Sequence, residues 1–237
     1  MFKEIFFRNI VSNVLIVLVL ISIVFIGFSN DVVSVFSQNV FEPIYQGNTQ
    51  KKQISLMINV YWGEELIDEF INVLNKHNSK ATFFVGGCYV AKNEHLLTKI
   101  INSGNEIGNH GYYHKDCTII SKERIAEEIL ITHKLVKDLT GYEMTLFAPP
   151  SGAVNDITCE IASSNNYKTI MWSKDTIDWR DKDSELIYKR ATKNAKNGDL
   201  ILMHPCCETL NVFERIVRFY IENGFSVVTV SQNIENL

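Results

Sequence analysis

The stretch ISLMINVYWGEELIDEFINVLNKHNSKATFFV, residues 54–85, changes its hydrophobic period twice. Ile54 to Val60 is a short apolar run of strand length. Glu64 to His77 then carries Leu66, Ile67, Phe70, Ile71 and Leu74 at helical spacing, and Ala81 to Val85 returns to a strand-like run. Two short strands joined by an amphipathic helix make a right-handed crossover and hence a parallel pair.

The same alternation continues to the C-terminus. The spacing predicts helix over Lys92–Asn102, a brief strand at Glu106–Ile107 and the longest helix over Ser121–Thr140. Ser121 is its N-cap, with Arg124 where a capping-box acid would stand, and Gly141 closes it. Strand Met144–Phe147, helix Asn155–Ser164, strand Tyr167–Trp172, helix Ser184–Lys196, strand Asp199–Met203, helix Leu210–Glu222 and strand Phe225–Val230 follow. About seven alternating units predict an α/β fold with a parallel sheet inside and helices outside. There is no internal repeat.

Composition narrows the function. The 237 residues are 46% hydrophobic and carry a net charge of −4, with no basic stripe, which excludes a nucleic-acid binder. Five cysteines, Cys88, Cys117, Cys159, Cys206 and Cys207, are an odd and scattered set, so no bridge is assigned. From Asn9 to Asn30 there is no charged residue, a length of about 30 Å as helix, with Lys3 and Arg8 before it. Residues 1–30 therefore read as a signal-anchor helix, residues 31–52 as a stalk and 53–237 as the folded domain. The charge order places the domain outside a cell membrane, single-pass if the segment is retained and secreted if it is cleaved.

In an open or barrel-like parallel sheet, chemistry gathers at the C-terminal ends of strands. The polar clusters lie there: Asn59 to Gly63, Asn109 to His114, Ala148 to Gly152, Asp175 to Trp179, and His204-Pro205. His110 and His114, four residues apart with Gly111 between them, can turn toward one ion. Nitrogen ligands suit zinc, with cobalt or nickel as substitutes.

Taken in order, several segments resemble the polysaccharide deacetylases with the NodB homology domain, and especially the branch holding sporulation-associated peptidoglycan deacetylases. They are Ile54-Ser55-Leu56 leading to Trp62-Gly63, Lys80 to Phe84, Gly104 to Gly111 with His114, Pro149-Pro150, Asp175 with Asp178-Trp179, and Gly198 to Leu202 ending at His204. The resemblance implies a distorted (β/α)-barrel of about seven parallel strands and hydrolysis of N-acetyl groups on an amino-sugar glycan. It implies that His110 and His114 hold a divalent metal and that a first-motif carboxylate is the base. It further implies that His204 is the acid, oriented by Asp175 or Asp178, and that Trp179 and Leu202 line an acetyl pocket.

The chain departs from that pattern on the base side. Asn59 stands at the base position, Val60 at a metal-ligand position and Ala148 where an Arg would steady the base. Ser151 replaces the Tyr whose backbone N–H holds the oxyanion. An amide cannot accept the proton a carboxylate accepts, so base assistance worth ~10²–10⁴-fold is lost, and a two-ligand metal is weakly bound.

Two functions follow. One is an impaired metal-dependent deacetylase of cell-wall or spore peptidoglycan, with Asp116 as a substitute carboxylate or else a plain loop acid. The other is a pseudoenzyme that binds glycan or serves structurally, with Trp62, Tyr61, Tyr112 and Tyr113 available to stack on sugars. An anchored scaffold for a protein partner has only the anchor in its favour.

Overall fold

The computed structural model describes residues 13–22 and 41–237. Residues 13–22 are helical with exposed side chains. The rest of the anchor expected over 1–30, and the stalk up to residue 40, lie outside the described residues. Among the described residues no helix is long and apolar enough to cross a membrane.

Residues 41–237 form one compact unit. Its strands are β1 (Gln53–Val60), β2 (Thr82–Val85), β3 (Glu106–Asn109), β4 (Leu146–Phe147), β5 (Lys168–Thr169), β6 (Lys174–Asp175), β7 (Leu200–Met203) and β8 (Ser226–Val227). The helices are α1 (Ile67–Lys76), α2 (Gly87–Val90), α3 (His95–Asn102), α4 (Lys122–Thr140), α5 (Asp156–Ser164), α6 (Ser184–Thr192), α7 (Cys207–Glu222) and α8 (Val230–Asn233). The strands run in the order β5-β4-β3-β2-β1-β7-β6, with β8 pairing the start of β1 and every pair parallel.

The order itself rolls the sheet. β5 and β6 stand at opposite edges, yet only residues 170–173 join them. At ~3.5 Å per residue that link spans at most about 14 Å, so the two edges must meet. The result is an incomplete barrel of seven short parallel strands with helices outside, the expected α/β architecture. Its seam is crossed by residues 44–48, where Ile44 bridges Ile170, Gln46 bridges Asp199, and the Gly47 N–H donates to Gly198 O at 2.7 Å. The sequence reading placed these residues in a stalk ending at 52. They belong to the compact unit, because single bridges across a seam leave no period to read.

Strand alternation sorts the side chains. Ile54, Leu56, Ile58 and Val60 face outward into the large core with Phe70, Leu74, Phe213 and Val217. Met57 faces inward with Phe84, Leu146, Ile170 and Leu200. Asn59 shares the inward parity, so its amide opens into the barrel mouth while Val60 is buried under the helices. Gly108 is required by the same packing: a Cβ there would lie 2.4 Å from the Phe84 ring.

The short helices Gly87–Val90 and Val230–Asn233 were not expected, the strands expected over Met144–Phe147 and Phe225–Val230 shrink to two residues each, and three further differences share a cause. The helix expected over Ser184–Lys196 stops at Thr192, β6 was not expected, and Tyr167–Trp172 supplies only a two-residue strand. All three lie at the seam, where the chain leaves one edge and joins the other within a few residues. The Ser121 cap is present: its Oγ accepts the Arg124 N–H at 3.3 Å, and Gly141 closes α4 at φ 73°.

Candidate active site

At the C-terminal mouth of the barrel is a cavity of about 300 Å³. Asn59, Trp62, His110, His114, Ser151, Asp175, Trp179, Leu202 and His204 line it, together with Gly152 and Trp172. Nine of the ten site residues read from the sequence thus converge on one space. The tenth, Asp178, sits directly behind His204.

β7 delivers His204, and Asp178 fixes it. The Asp178 carboxylate accepts the His204 backbone N–H at 2.7 Å, sits 2.7 Å from His204 Nδ1, and accepts the Thr209 hydroxyl at 2.6 Å. Nδ1 therefore carries a proton, and Nε2 is the nitrogen left to act in the cavity. Trp62 stacks on the imidazole, with ring centroids 5.2 Å apart and planes within 7°. Of the two aspartates read as possible orienters, Asp178 fills that role in the geometry. The Asp175 carboxylate accepts the Ile177 N–H at 2.7 Å, does not contact His204, and is raised from its ordinary value chiefly by burial. Thr209 was not foreseen, since a threonine in the first turn of α7 carries no signal by itself.

On the opposite wall, His110 Nδ1 lies 2.7 Å from the Ala148 carbonyl. A carbonyl only accepts, so Nδ1 is the protonated nitrogen and Nε2 carries the lone pair. Burial, with His114 next, lowers His110 to about 3 and keeps that lone pair free of protons at neutral pH. It faces Asn59 Nδ2 at 3.4 Å, so the amide N–H donates to it and Asn59 Oδ1 turns away, buried and without a partner. The His114 ring centroid is 5.0 Å from that of His110 and 4.9 Å from that of Tyr61. Glu128, buried on α4, reaches beneath this loop and accepts the Tyr113 N–H at 2.7 Å.

The expected metal would rest on His110 and His114 alone, short of a full catalytic centre. The His110 lone pair is already engaged by Asn59. Val60 is an aliphatic side chain pointing out of the barrel. No group of three or more His, Cys, Asp or Glu among the described residues is placed to hold an ion. Catalytic zinc ordinarily needs three protein ligands. Titrating the native chain with Zn²⁺ is accordingly expected to leave its melting temperature unchanged, and an upward shift saturating at one ion per chain would contradict this reading.

Asp116 is no substitute base. It is exposed and held by the Thr118 backbone N–H at 2.8 Å and the Thr118 hydroxyl at 2.5 Å, and it does not line the cavity. Ser151 keeps the backbone geometry of its loop, in the left-handed region at φ 57°, ψ 12°. The exposed aromatic surfaces at the mouth are Trp62 and Trp179, 43% and 57% accessible.

Comparison with known proteins agrees with this geometry. The polysaccharide deacetylase family model matches residues 46–170. The chain is 37% identical over 191 residues to the uncharacterised protein YlxY of Bacillus subtilis, covering 81% of this chain and 60% of that one. It is 28% identical over 204 residues to the peptidoglycan-N-acetylmuramic acid deacetylase PdaC of the same organism, covering 86% and 42%. It thus spans between about two fifths and three fifths of the length of these relatives. A CE4-family pseudoenzyme of Bacillus anthracis superposes with a TM-score of 0.79 at 32% identity, covering 82% of this chain and 69% of that one. A variant of that pseudoenzyme with restored enzymatic activity gives the same TM-score at 31% identity, covering 82% and 71%. Fold, site and sequence together place this chain in the polysaccharide deacetylase family.

Proposed function

We propose that the domain recognises N-acetylated wall glycan of the peptidoglycan type and leaves the acetyl group in place. The observation that carries this reading is the Asn59 amide, donating into His110 where a deacetylase of this kind needs a proton acceptor. An amide offers no basic site at neutral pH, so the β1 position supplies no acceptor for a proton from water. The acid side is intact: His204 is held by Asp178 and stacked by Trp62. What remains is a shaped, partly apolar cavity flanked by two indoles, suited to an acetamido methyl and a sugar face. The uncharged segment 9–30 anchors the domain on the outer side of a cell membrane, where such glycan lies.

Binding is read from the indole fluorescence of the mouth. Titration with an N-acetylglucosamine oligomer is expected to change it saturably. Trp179→Ala is expected to weaken binding about tenfold, the loss of one stacking surface worth ~1–2 kcal/mol. Failure of any N-acetylated oligomer to bind the native chain at millimolar concentration would sink the proposal.

A further inference from the structure

Glu128 is the only charged side chain of α4 that is buried. It stands on the inward face of the helix with Ile125, Ile129, Thr132 and Val136, and it does not reach the mouth. A carboxylate placed there forfeits its hydration, and only one of its oxygens recovers a hydrogen bond. Oε2 accepts the Tyr113 N–H at 2.7 Å, whereas Oε1 has no hydrogen-bond partner among the described residues, with Arg124 Nη2 3.6 Å away. The placement costs stability, so what Oε2 holds is the point of interest.

It holds the segment that carries His114 into the mouth. His110 is still in sheet register, its N–H donating to Val85 O at 3.0 Å, and its ring is fixed separately by the Ala148 carbonyl and Asn59. Beyond it the chain leaves the sheet through Gly111 at φ 74° and reaches His114 at φ 57°. A residue with a side chain adopts that left-handed conformation where its surroundings impose it. The first half of the turn is pinned by main chain: the Gly87 N–H donates to Gly111 O at 2.8 Å and the Cys88 N–H to Tyr112 O at 3.0 Å. α4 grips it at two adjacent positions. Ile129 O accepts Asn109 Nδ2 at 2.8 Å, and Glu128 takes the N–H of Tyr113, the residue next to His114. The fit is close, since a Cβ at Gly111 would lie 3.1 Å from Glu128 Oε2.

We infer that Glu128 is a positioning residue. By accepting the Tyr113 N–H it keeps the backbone at His114 in its left-handed turn, and so holds the His114 imidazole in the wall of the mouth between His110 and Tyr61. The turn needs the acceptor oxygen rather than the charge. Glu128 acts through His114 on whatever enters the cavity, so the inference stands apart from the glycan-binding reading.

The test follows the imidazole Cε1–H resonances of the full chain, with the His114 signal identified by its loss in His114→Ala. The rings of Tyr61 and His110, centred 4.9 and 5.0 Å from that of His114, displace this signal from the position of an exposed histidine. Glu128→Gln keeps an oxygen for the Tyr113 N–H and is expected to leave the signal in its native place. Glu128→Ala is expected to move it to the exposed position, while the signal of His204 on the opposite wall stays. Glu128→Leu fills the space and accepts nothing; it is expected to repeat the Ala result and carries the test if the Ala chain does not fold. A native His114 signal in the Ala or Leu chain overturns the inference, as does its displacement in the Gln chain. Movement of His204 together with His114 also overturns it, because that marks general loosening and a merely structural role.

Discussion

Asp178→Ala is expected to lower the unfolding free energy by about 3–5 kcal/mol, the largest stability loss of any single change at the site. The carboxylate is buried and accepts from three donors, the His204 backbone N–H, His204 Nδ1 and the Thr209 hydroxyl, at 2.6–2.7 Å. Removing it leaves both His204 donors without a partner and the Thr209 hydroxyl with only the Cys206 sulfur, 3.2 Å away, in a place that water reaches poorly, and each orphaned donor costs ~1–3 kcal/mol. Asp175→Ala is the control. That side chain is half-buried and holds one backbone N–H, so its loss is expected to cost about 1 kcal/mol. Denaturant unfolding of the two variants decides the matter. If they lose stability equally, Asp178 does not organise the acid side and His204 is held by packing against Trp62 instead.

Much of this site was legible before any coordinates. Periodicity located the major strands because each carries an unbroken apolar run between turn residues, and the strand-end rule then gathered distant residues into one mouth. His204 beside the Asp175–Trp179 segment is such a case: β7 and β6 are neighbours in the sheet, and that adjacency joins two loops far apart in sequence. Which aspartate orients His204 was not legible, because the two stand three residues apart at the same strand end, with the turn at Ile177, φ 54°, between the one that lines the cavity and the one that meets His204. Trp172 was also missed as a lining residue. It ends an apolar run and reads as core, yet it packs against Gly152, where a Cβ would lie 2.5 Å from the indole. The seam escaped for a different reason. Residues 44–48 and β6 pair through one or two residues each, below the length at which a hydrophobic period exists.

The metal expectation turns on a detail that only atomic geometry supplies. His110 and His114 have suitable spacing, and both reach the cavity. The tautomer of His110, fixed by the Ala148 carbonyl, presents its lone pair to Asn59, and the amide uses it. One substitution in β1 therefore removes the base and occupies the nitrogen that an ion would need.

The second large effect follows from that coupling. Asn59→Asp, supplied with Zn²⁺ or Co²⁺, is expected to release acetate from N-acetylated glycan at least ~10²-fold faster than the native chain, the lower end of the range for general-base assistance. The carboxylate has no N–H to donate, so the His110 lone pair is freed, and it supplies an acceptor for the proton of water at the same position. Ala148 leaves this carboxylate without the Arg that would steady it, so the gain is expected to fall short of the ~10⁴-fold upper end. Thermal stability is expected to respond as well. With a charge newly buried beside His110, the variant melts below the native chain in EDTA and recovers on adding metal, whereas the native chain does neither.

Acetate release by the native chain and by Asn59→Asp, measured side by side on the same N-acetylated glycan with Zn²⁺ present, bears most directly on the central claim. The native chain is expected to be indistinguishable from the enzyme-free blank while the glycan is bound, and the variant to turn over. Native turnover at the rate of the variant would contradict it, since Asn59 would then not be what separates recognition from hydrolysis.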